Sequence, residues 1–386
     1  FVDYYIADEP ECRGLSSVYH KYLYEAFKEL DPYHVVSIAT LRADEFVNAG
    51  DWFEAHPYIS PYFGEDGTRM YGRQFNTLGK FVDCLSKQER TDKCIGFIPT
   101  CYCASGGAYP TFDEYLSQTW AGMIRGGKTL WPYAYHDLND RAALYEGTRY
   151  LYGSLEALEE QILMADIKPL LCTDDIDAYI YEYGDDSIFV AVNMSDKPQK
   201  FVLEGIDGQW HHFRHNEMLS GTTFELKPYG VLIGTRKAAD AGMPTYAETA
   251  ALIDRLENER MASKSLLFER EREVKVTSSE GQWSSFKLFD GVRDNLAQIM
   301  KGKDLYVELD LSKAKPTFTT LGVYGWCLEG AKVKTCTNGV WEDLEPAAVE
   351  NEEFSVIFTL KTPVTPDTLR IEFPAERVEL YEIEVY

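Results

Sequence analysis

The apolar periodicity of this 386-residue chain changes near Pro169, and that change constrains its fold more than any other feature. Before it, short apolar runs alternate with amphipathic stretches, as in β/α units around a parallel sheet. Strands are expected over residues 1–7, 34–39, 52–56, 94–100 and 128–134. Helices are expected over 15–30 (stopped by Asp31-Pro32), 71–90, 112–125 and 139–164. After Pro169 the period is two, with strand-like runs at Ala178-Tyr-Ile-Tyr-Glu-Tyr, Ser187-Ile-Phe-Val-Ala-Val-Asn, Lys200-Phe-Val-Leu and Gly230-Val-Leu-Ile between Gly, Asp and Pro turns.

Five β/α units in about 165 residues give roughly 33 each, close to the roughly 31 of a (β/α)8 barrel of about 250 residues. The expected fold class is therefore multidomain, beginning with about five C-terminal β/α units of a TIM barrel at 1–165. A small antiparallel β-sandwich follows at 166–236, then a helical connector at 237–272 and a strand-rich module at 273–386. The chain opens inside a strand-like run without Met, so three N-terminal units are expected to come from a missing part of the chain or from another chain. A further reading is a purely structural subunit whose half-barrel another chain completes.

A formal charge of −25 excludes nucleic acid and an anionic membrane surface as partners, because both would repel it. Neutral ligands remain. Twenty-six Tyr, 20 Phe and 7 Trp supply flat faces suited to sugar rings as well as to cores. Eight Cys without a Cys-x-x-Cys pair give neither a zinc knuckle nor a disulfide scaffold, although Cys327 and Cys336 are spaced to bridge neighbouring strands or to stay free. No run approaches a membrane span, and Phe1–Ala7 lacks the basic start of a signal peptide. Ser105-Gly106-Gly107 and Gly126-Gly127-Lys128 lack Walker spacing and read as turns.

The sharpest local signal is Tyr5-Ile-Ala-Asp-Glu-Pro-Glu, at the C-terminal end of the first strand, where barrel active sites are built. Asp8-Glu9-Pro10 resembles the Asn-Glu-Pro that ends the fourth strand in the large clan of barrel glycosidases, and counting the five units as four to eight gives the same register. The resemblance implies Glu9 as general acid/base, since glycosidic cleavage needs a carboxyl that delivers a proton to the leaving oxygen. The structural alternative is that Asp8, Glu9 and Glu11 form an acidic cluster before the next helix. The clan's second Glu, at the end of the seventh strand, has no counterpart, since Ile95–Gly107 contains no carboxylate. Glu54, Asp137, Asp44 and Glu45 are the strand-end candidates for a second carboxylate. Families 20 and 123 of glycoside hydrolases carry an adjacent Asp-Glu pair on this strand, and the likeness implies that Asp8 assists by orienting a 2-acetamido nucleophile on an N-acetylhexosaminide. His56, Tyr58, Tyr102, Trp131, Tyr133 and His136 fall at other strand ends and are the substrate-binding candidates. No cofactor for catalysis is expected.

The C-terminal segments Leu288-Phe-Asp-Gly, Leu305-Tyr-Val-Glu-Leu-Asp-Leu, Gly322-Val-Tyr-Gly, Thr368-Leu-Arg-Ile-Glu-Phe and Glu379-Leu-Tyr-Glu-Ile-Glu-Val-Tyr resemble discoidin-like, coagulation-factor type C modules, a jelly-roll β-sandwich that includes many carbohydrate-binding modules. The resemblance implies a structural calcium at Asp290, Asp294 and Glu382, with Val292 where an Asp commonly follows the turn. Tyr324, Trp326 and Trp341 are candidates for a sugar-stacking platform. The sequence thus points to a secreted or cell-surface glycoside hydrolase acting on a poly- or oligosaccharide. The alternative is a non-catalytic carbohydrate-binding or adhesion protein that keeps a degenerate barrel.

Overall fold

The computed structural model describes all residues except 1–2, 65–67, 78, 82–91, 103–107, 134–140, 216, 239–241, 263, 269, 271–272, 283–285, 292 and 294–295. The chain divides into two compact units, 1–257 and 258–386.

The first unit opens with a five-stranded sheet of β1 (Asp3–Asp8), β2 (Val35–Ala39), β3 (Trp52–Ala55), β6 (Cys94–Phe97) and β7 (Thr129–Leu130). All neighbours are parallel and follow chain order. A doubly wound sheet reverses its order at a switch point, and these five strands show no such reversal. One face carries Val36, Ile38, Phe53, Ala55, Ile95 and Phe97, all buried. Tyr115, Leu116 and Trp120 of the helix Phe112–Met123 belong to the same core. The other face carries Tyr5, Ser37, Glu54 and Thr129, with the Ser37 hydroxyl donating to Asp3. Alternation along each strand produces this split, because successive side chains point to opposite faces.

Local signals set the helix ends. Ser16 caps Ser17–Leu30 by accepting from the Val18 N–H at 3.2 Å. Thr111 and Glu114 form a capping box on Phe112–Met123. Glu114 also takes both prongs of Arg69 and the Tyr71 hydroxyl, which fastens a small hairpin, β4 (Pro61–Phe63) with β5 (Arg69–Tyr71), to that helix. The helix expected over 71–90 therefore starts later than its periodicity suggests, since Arg69–Tyr71 is a strand; residues 82–91 lie outside those described. The helix expected over 139–164 is two, Ala142–Ala157 and Glu159–Met164, broken at Leu158.

Beyond it, β8 (Asp166–Cys172), β9 (Ile176–Glu182), β10 (Ile188–Asn193), β11 (Gln199–Val202), β12 (Trp210–His212), β13 (Met218–Leu219), β14 (Thr223–Leu226) and β15 (Val231–Thr235) form a six-stranded antiparallel sheet, ordered β13-β12-β15-β10-β9-β8, and the pair β11-β14. Pro169 sits inside β8 because that strand is an edge and bulges between Pro169 and Leu171. In β10, Ile188, Val190 and Val192 join the core of the parallel sheet, while Phe189 and Ala191 face a second core with Trp210, Phe201 and Leu232. His212 and His215 are half-buried and stacked at 3.8 Å. Three polar contacts stitch the layers: Tyr181 hydroxyl to Met123 O at 2.7 Å, Ser117 hydroxyl to Asn193 O at 3.0 Å, and Arg125 Nε to Asp177 Oδ2 at 2.6 Å. The helix Tyr246–Ala262 follows, within the span expected as a connector.

The second unit is built from two antiparallel sheets of six and five strands. Their buried faces meet around Val276, Val307, Leu309, Leu321, Phe358, Ile371 and Ile383. Cys327 is exposed, Cys336 is buried, and both are free, so no disulfide joins them. Among the described residues no helix is long and apolar enough to cross a membrane.

Asp177 is fully buried against Arg125, and removing one partner of such a pair strands the other charge. Asp177→Ala should cost about 3 kcal/mol, measured by urea unfolding of the first unit's transition; a loss under about 1 kcal/mol would show that the pair contributes little.

Candidate functional site

The C-terminal ends of all five parallel strands lie on one rim, and most of the residues singled out from the sequence are found there. Glu9 directly follows β1 with φ of 45°, a left-handed conformation that costs a non-glycine residue roughly 1–2 kcal/mol. Its position before Pro10 adds to the constraint. The turn is held by Glu9 N–H to Ala39 O and Cys12 N–H to Glu9 O, both 3.0 Å. Glu11 anchors it further, accepting from Leu41 N–H at 2.7 Å and the Thr40 hydroxyl at 3.0 Å. Glu11 is thus a brace, while the strained turn presents the Glu9 carboxyl, whose side chain is 41% exposed.

Glu9 Oε1 lies 2.8 Å from His56 Nε2, and His56 is buried just past β3. The other ring nitrogen, Nδ1, is 3.3 Å from the main-chain oxygen of Glu54. A neutral imidazole with its hydrogen on Nε2 donates to the Glu9 carboxylate, whereas the tautomer with its hydrogen on Nδ1 donates to the Glu54 carbonyl.

Around this pair the tyrosines converge. The Tyr58 ring is 5.6 Å from His56, 5.3 Å from Tyr102 and 5.5 Å from Tyr133, and Tyr102 and Tyr133 are 5.3 Å apart. Burial, the neighbouring tyrosines and the charges of Glu9 and Asp8 all push the Tyr58 hydroxyl well above the usual phenol range, so it stays protonated. Trp131 and Tyr133 are about half exposed. His136 and Asp137 lie outside the described residues.

Asp8 is placed differently from its neighbour. It is exposed, accepts from the Tyr5 hydroxyl at 3.0 Å and pairs with Arg13 at 3.2 Å. Tyr5, at the start of the register shift between Tyr5 and Ala7, opens the motif read from sequence but was given no role there. It faces Asp8, Glu54 and Glu9, and burial together with these charges raises its hydroxyl far above the ordinary value.

Glu54 is a carboxylate of another kind. It is 4% exposed, accepts from the Thr129 hydroxyl at 3.3 Å through Oε1, and has no partner for Oε2. Burial pushes its pKa up to about 7, Thr129 and Trp131 pull it partly back, and Asp3 raises it. Gly96 makes room for it: a Cβ there would overlap both Thr129 Oγ1 and Glu54 Oε2. A glycine inside a strand is the sequence signal for such a close approach. Asp44 and Glu45 are exposed and both pair with Arg42 at the start of the short helix Ala43–Phe46.

In the second unit, Glu382 is fully buried, its Oε1 accepts from Gly291 N–H at 3.1 Å, and its Oε2 has no partner. Burial, then the charge of Asp290, pushes it up to about 10. Among the described residues no three His, Cys, Asp or Glu side chains converge as a metal site; Asp294, expected with these two, lies outside them. Trp326 and Trp341 are each 44% exposed, and Trp326 sits 5.1 Å from the equally exposed Phe354, a partner that sequence periodicity does not reveal. Tyr324 is instead covered by Arg293, 4.3 Å from its ring.

Because Glu54 holds a proton at higher pH in the folded chain than in the unfolded one, its contribution is fully present below about pH 4.5 and lost as pH rises through about 7. Glu54→Gln should therefore gain on the wild type between those values by up to roughly 3 kcal/mol and stay level above them. Unfolding titrations at pH 4, 6 and 8 measure this, and a pH-independent difference would contradict it.

No family model matches the chain, and no curated protein does. Among solved structures it is similar to CpGH89CBM32-6 of Clostridium perfringens at 22% identity, over 32% of this chain and 98% of that one, with a TM-score of 0.27. It is also similar to the family 32 carbohydrate-binding module of Clostridium perfringens NanJ in complex with galactose, at 12% identity over 32% and 97%, TM-score 0.26. An Anoxybacillus alpha-amylase is similar at 11% identity over 62% of this chain, with a TM-score of 0.41, and the chain spans 59% of its length.

Proposed function

We propose that the chain is the C-terminal part of a glycoside hydrolase, with Glu9 as general acid/base. The observation that carries this reading is the Glu9–His56 pair, a solvent-facing carboxyl within hydrogen-bond distance of a buried imidazole at the C-terminal rim of parallel strands. In the proposed reaction Glu9 Oε1 gives its proton to the glycosidic oxygen as the bond to the anomeric carbon breaks. His56 holds the proton ready, while Tyr58, Tyr102, Trp131 and Tyr133 seat the sugar.

Retaining chemistry with a protein nucleophile needs a second, ionised carboxylate about 5 Å from the first. Glu54 suits that role poorly, being enclosed by Gly96 and Thr129 and protonated near neutral pH. This favours a nucleophile supplied by the substrate, the 2-acetamido oxygen of an N-acetylhexosaminide. Asp8, which Tyr5 and Arg13 hold beside Glu9, would orient that group. The second unit would hold the enzyme on glycan through Trp326, Phe354 and Trp341 at the cell surface or outside the cell. The free edge of β1 and the exposed Val18, Tyr19 and Tyr22 of the first helix suit further β/α units that complete the barrel.

Glu382 and Asp290 fit a structural calcium, because two acidic groups beside each other in a protein interior need a proton or a cation, and Oε2 of Glu382 has neither donor nor solvent. Bound there, the ion would neutralise this pair and brace the sandwich.

Glu9→Gln should lower turnover of aryl N-acetylglucosaminides or N-acetylgalactosaminides at least a hundredfold with the unfolding midpoint unchanged. Undiminished turnover in the variant would remove Glu9 from the mechanism, and no turnover by the wild type with its barrel complete would favour a binding protein. For the metal, calcium should raise the melting temperature of the second unit and EDTA should lower it, with Glu382→Gln abolishing both effects. A melting temperature indifferent to calcium would leave Glu382 simply protonated.

A further inference from the structure

We infer that a cleft in the first unit, apart from the Glu9–His56 pair, is a binding subsite for a neutral oligosaccharide chain. It lies between the segment Arg69–Asn76 and the sandwich turns at 174–175, 194–196 and 229, and encloses about 540 Å³, within the range of small-ligand sites. Its walls are fixed. The Tyr71 hydroxyl is held by Glu114, and Tyr229 is stacked on Phe75 at 4.7 Å and 23°. Its polar groups are uncommitted: the side chains of Arg73, Gln74, Asp174 and Asp196 line the cleft, are exposed, and make no hydrogen bond or ion pair among the described residues.

The chemistry of this lining selects the ligand class. Carboxylates and a primary amide each present two polar atoms in one plane, a spacing that matches vicinal hydroxyls, and rigid tyrosines supply the apolar contact that sugar C–H faces need. The charge argues against acidic glycans. Arg69 is neutralised by Glu114, which leaves Arg73 facing Asp174, Asp175 and Asp196. The polar lining equally disfavours a lipid or a steroid.

Position links the cleft to the rim. Arg69–Asn76 belongs to the same connection, between β3 and β6, that begins with His56 and Tyr58. That connection is pinned by Arg69 to the first turn of the helix Phe112–Met123, next to the rim. Loops after the C-terminal ends of barrel strands carry specificity. Substrates longer than the catalytic subsites are therefore the ones to test against this cleft, whose link to turnover rests on the glycosidase reading while binding itself does not.

The test uses the full protein and the variants Gln74→Ala and Asp196→Ala, both exposed and outside the proposed catalytic machinery. Hydrolysis of a short aryl glycoside should be unchanged, while KM for a hexasaccharide of the same sugar rises roughly tenfold at constant kcat. Equal KM on the long substrate would overturn the subsite. If no glycoside is cleaved, the glycosidase reading fails by itself. Calorimetric titration with chitohexaose, maltohexaose and galactohexaose then decides the cleft, because binding weakened in the variants supports it and binding unaltered or undetectable in the wild type overturns it. A lysine-rich peptide that binds in place of all three sugars would reassign the cleft to a basic ligand.

Discussion

Winding in one direction is the constraint on which the first unit depends. When parallel strands follow chain order, every strand must end on the same rim, and every connection must return across the same outer face. The outer face is consequently apolar and shared with the helices, as Ile38, Phe53 and Phe97 show, and the inner face is free to be polar. Glu9 and His56 are 47 residues apart yet meet at 2.8 Å because each follows the end of its strand.

Within that frame the two acidic side chains are sorted by environment. Glu9 stands on a strained turn, open to solvent and bonded to an imidazole; Glu54, within a strand, is walled in and holds its proton to about pH 7. The same residue type thus stands once as an accessible, hydrogen-bonded carboxyl and once as a walled-in one, and the difference comes from burial and partners alone. Glu382 repeats the second case in the other unit, where burial and then the charge of Asp290 raise it.

Strands and helices with strong periodicity were legible: β1, β2, β3 and Ser17–Leu30 fall within two residues of their expected bounds. The hairpin at Pro61–Phe63 and Arg69–Tyr71 was not, because three-residue strands carry too few alternations, and its stability comes from Glu114, more than 40 residues away. Strand β8 was hidden by Pro169, which usually argues against a strand and is tolerated here by an edge and a bulge. For the site, motif and register single out Glu9, and strand ends single out His56 and the tyrosines. Their mutual bonding, the service of Glu11 as a brace and the enclosure of Glu54 by Gly96 depend on contacts between strands that no local pattern encodes.

The sharing of one apolar core by the parallel sheet and strand β10 has a consequence for how such a chain can be recombined. Ile188, Val190 and Val192 are lining material for the parallel layer as much as for their own sheet, and Arg125 and Asp177 seal the join. A gene exchange that swapped residues 166–236 for another sandwich would expose that lining on both sides, so the change in periodicity at Pro169 marks no usable crossover point. The boundary near residue 257 is different, since the buried core on each side is built from that side's own residues. Modular inheritance can act there, and the small sandwich must descend with the parallel layer it covers.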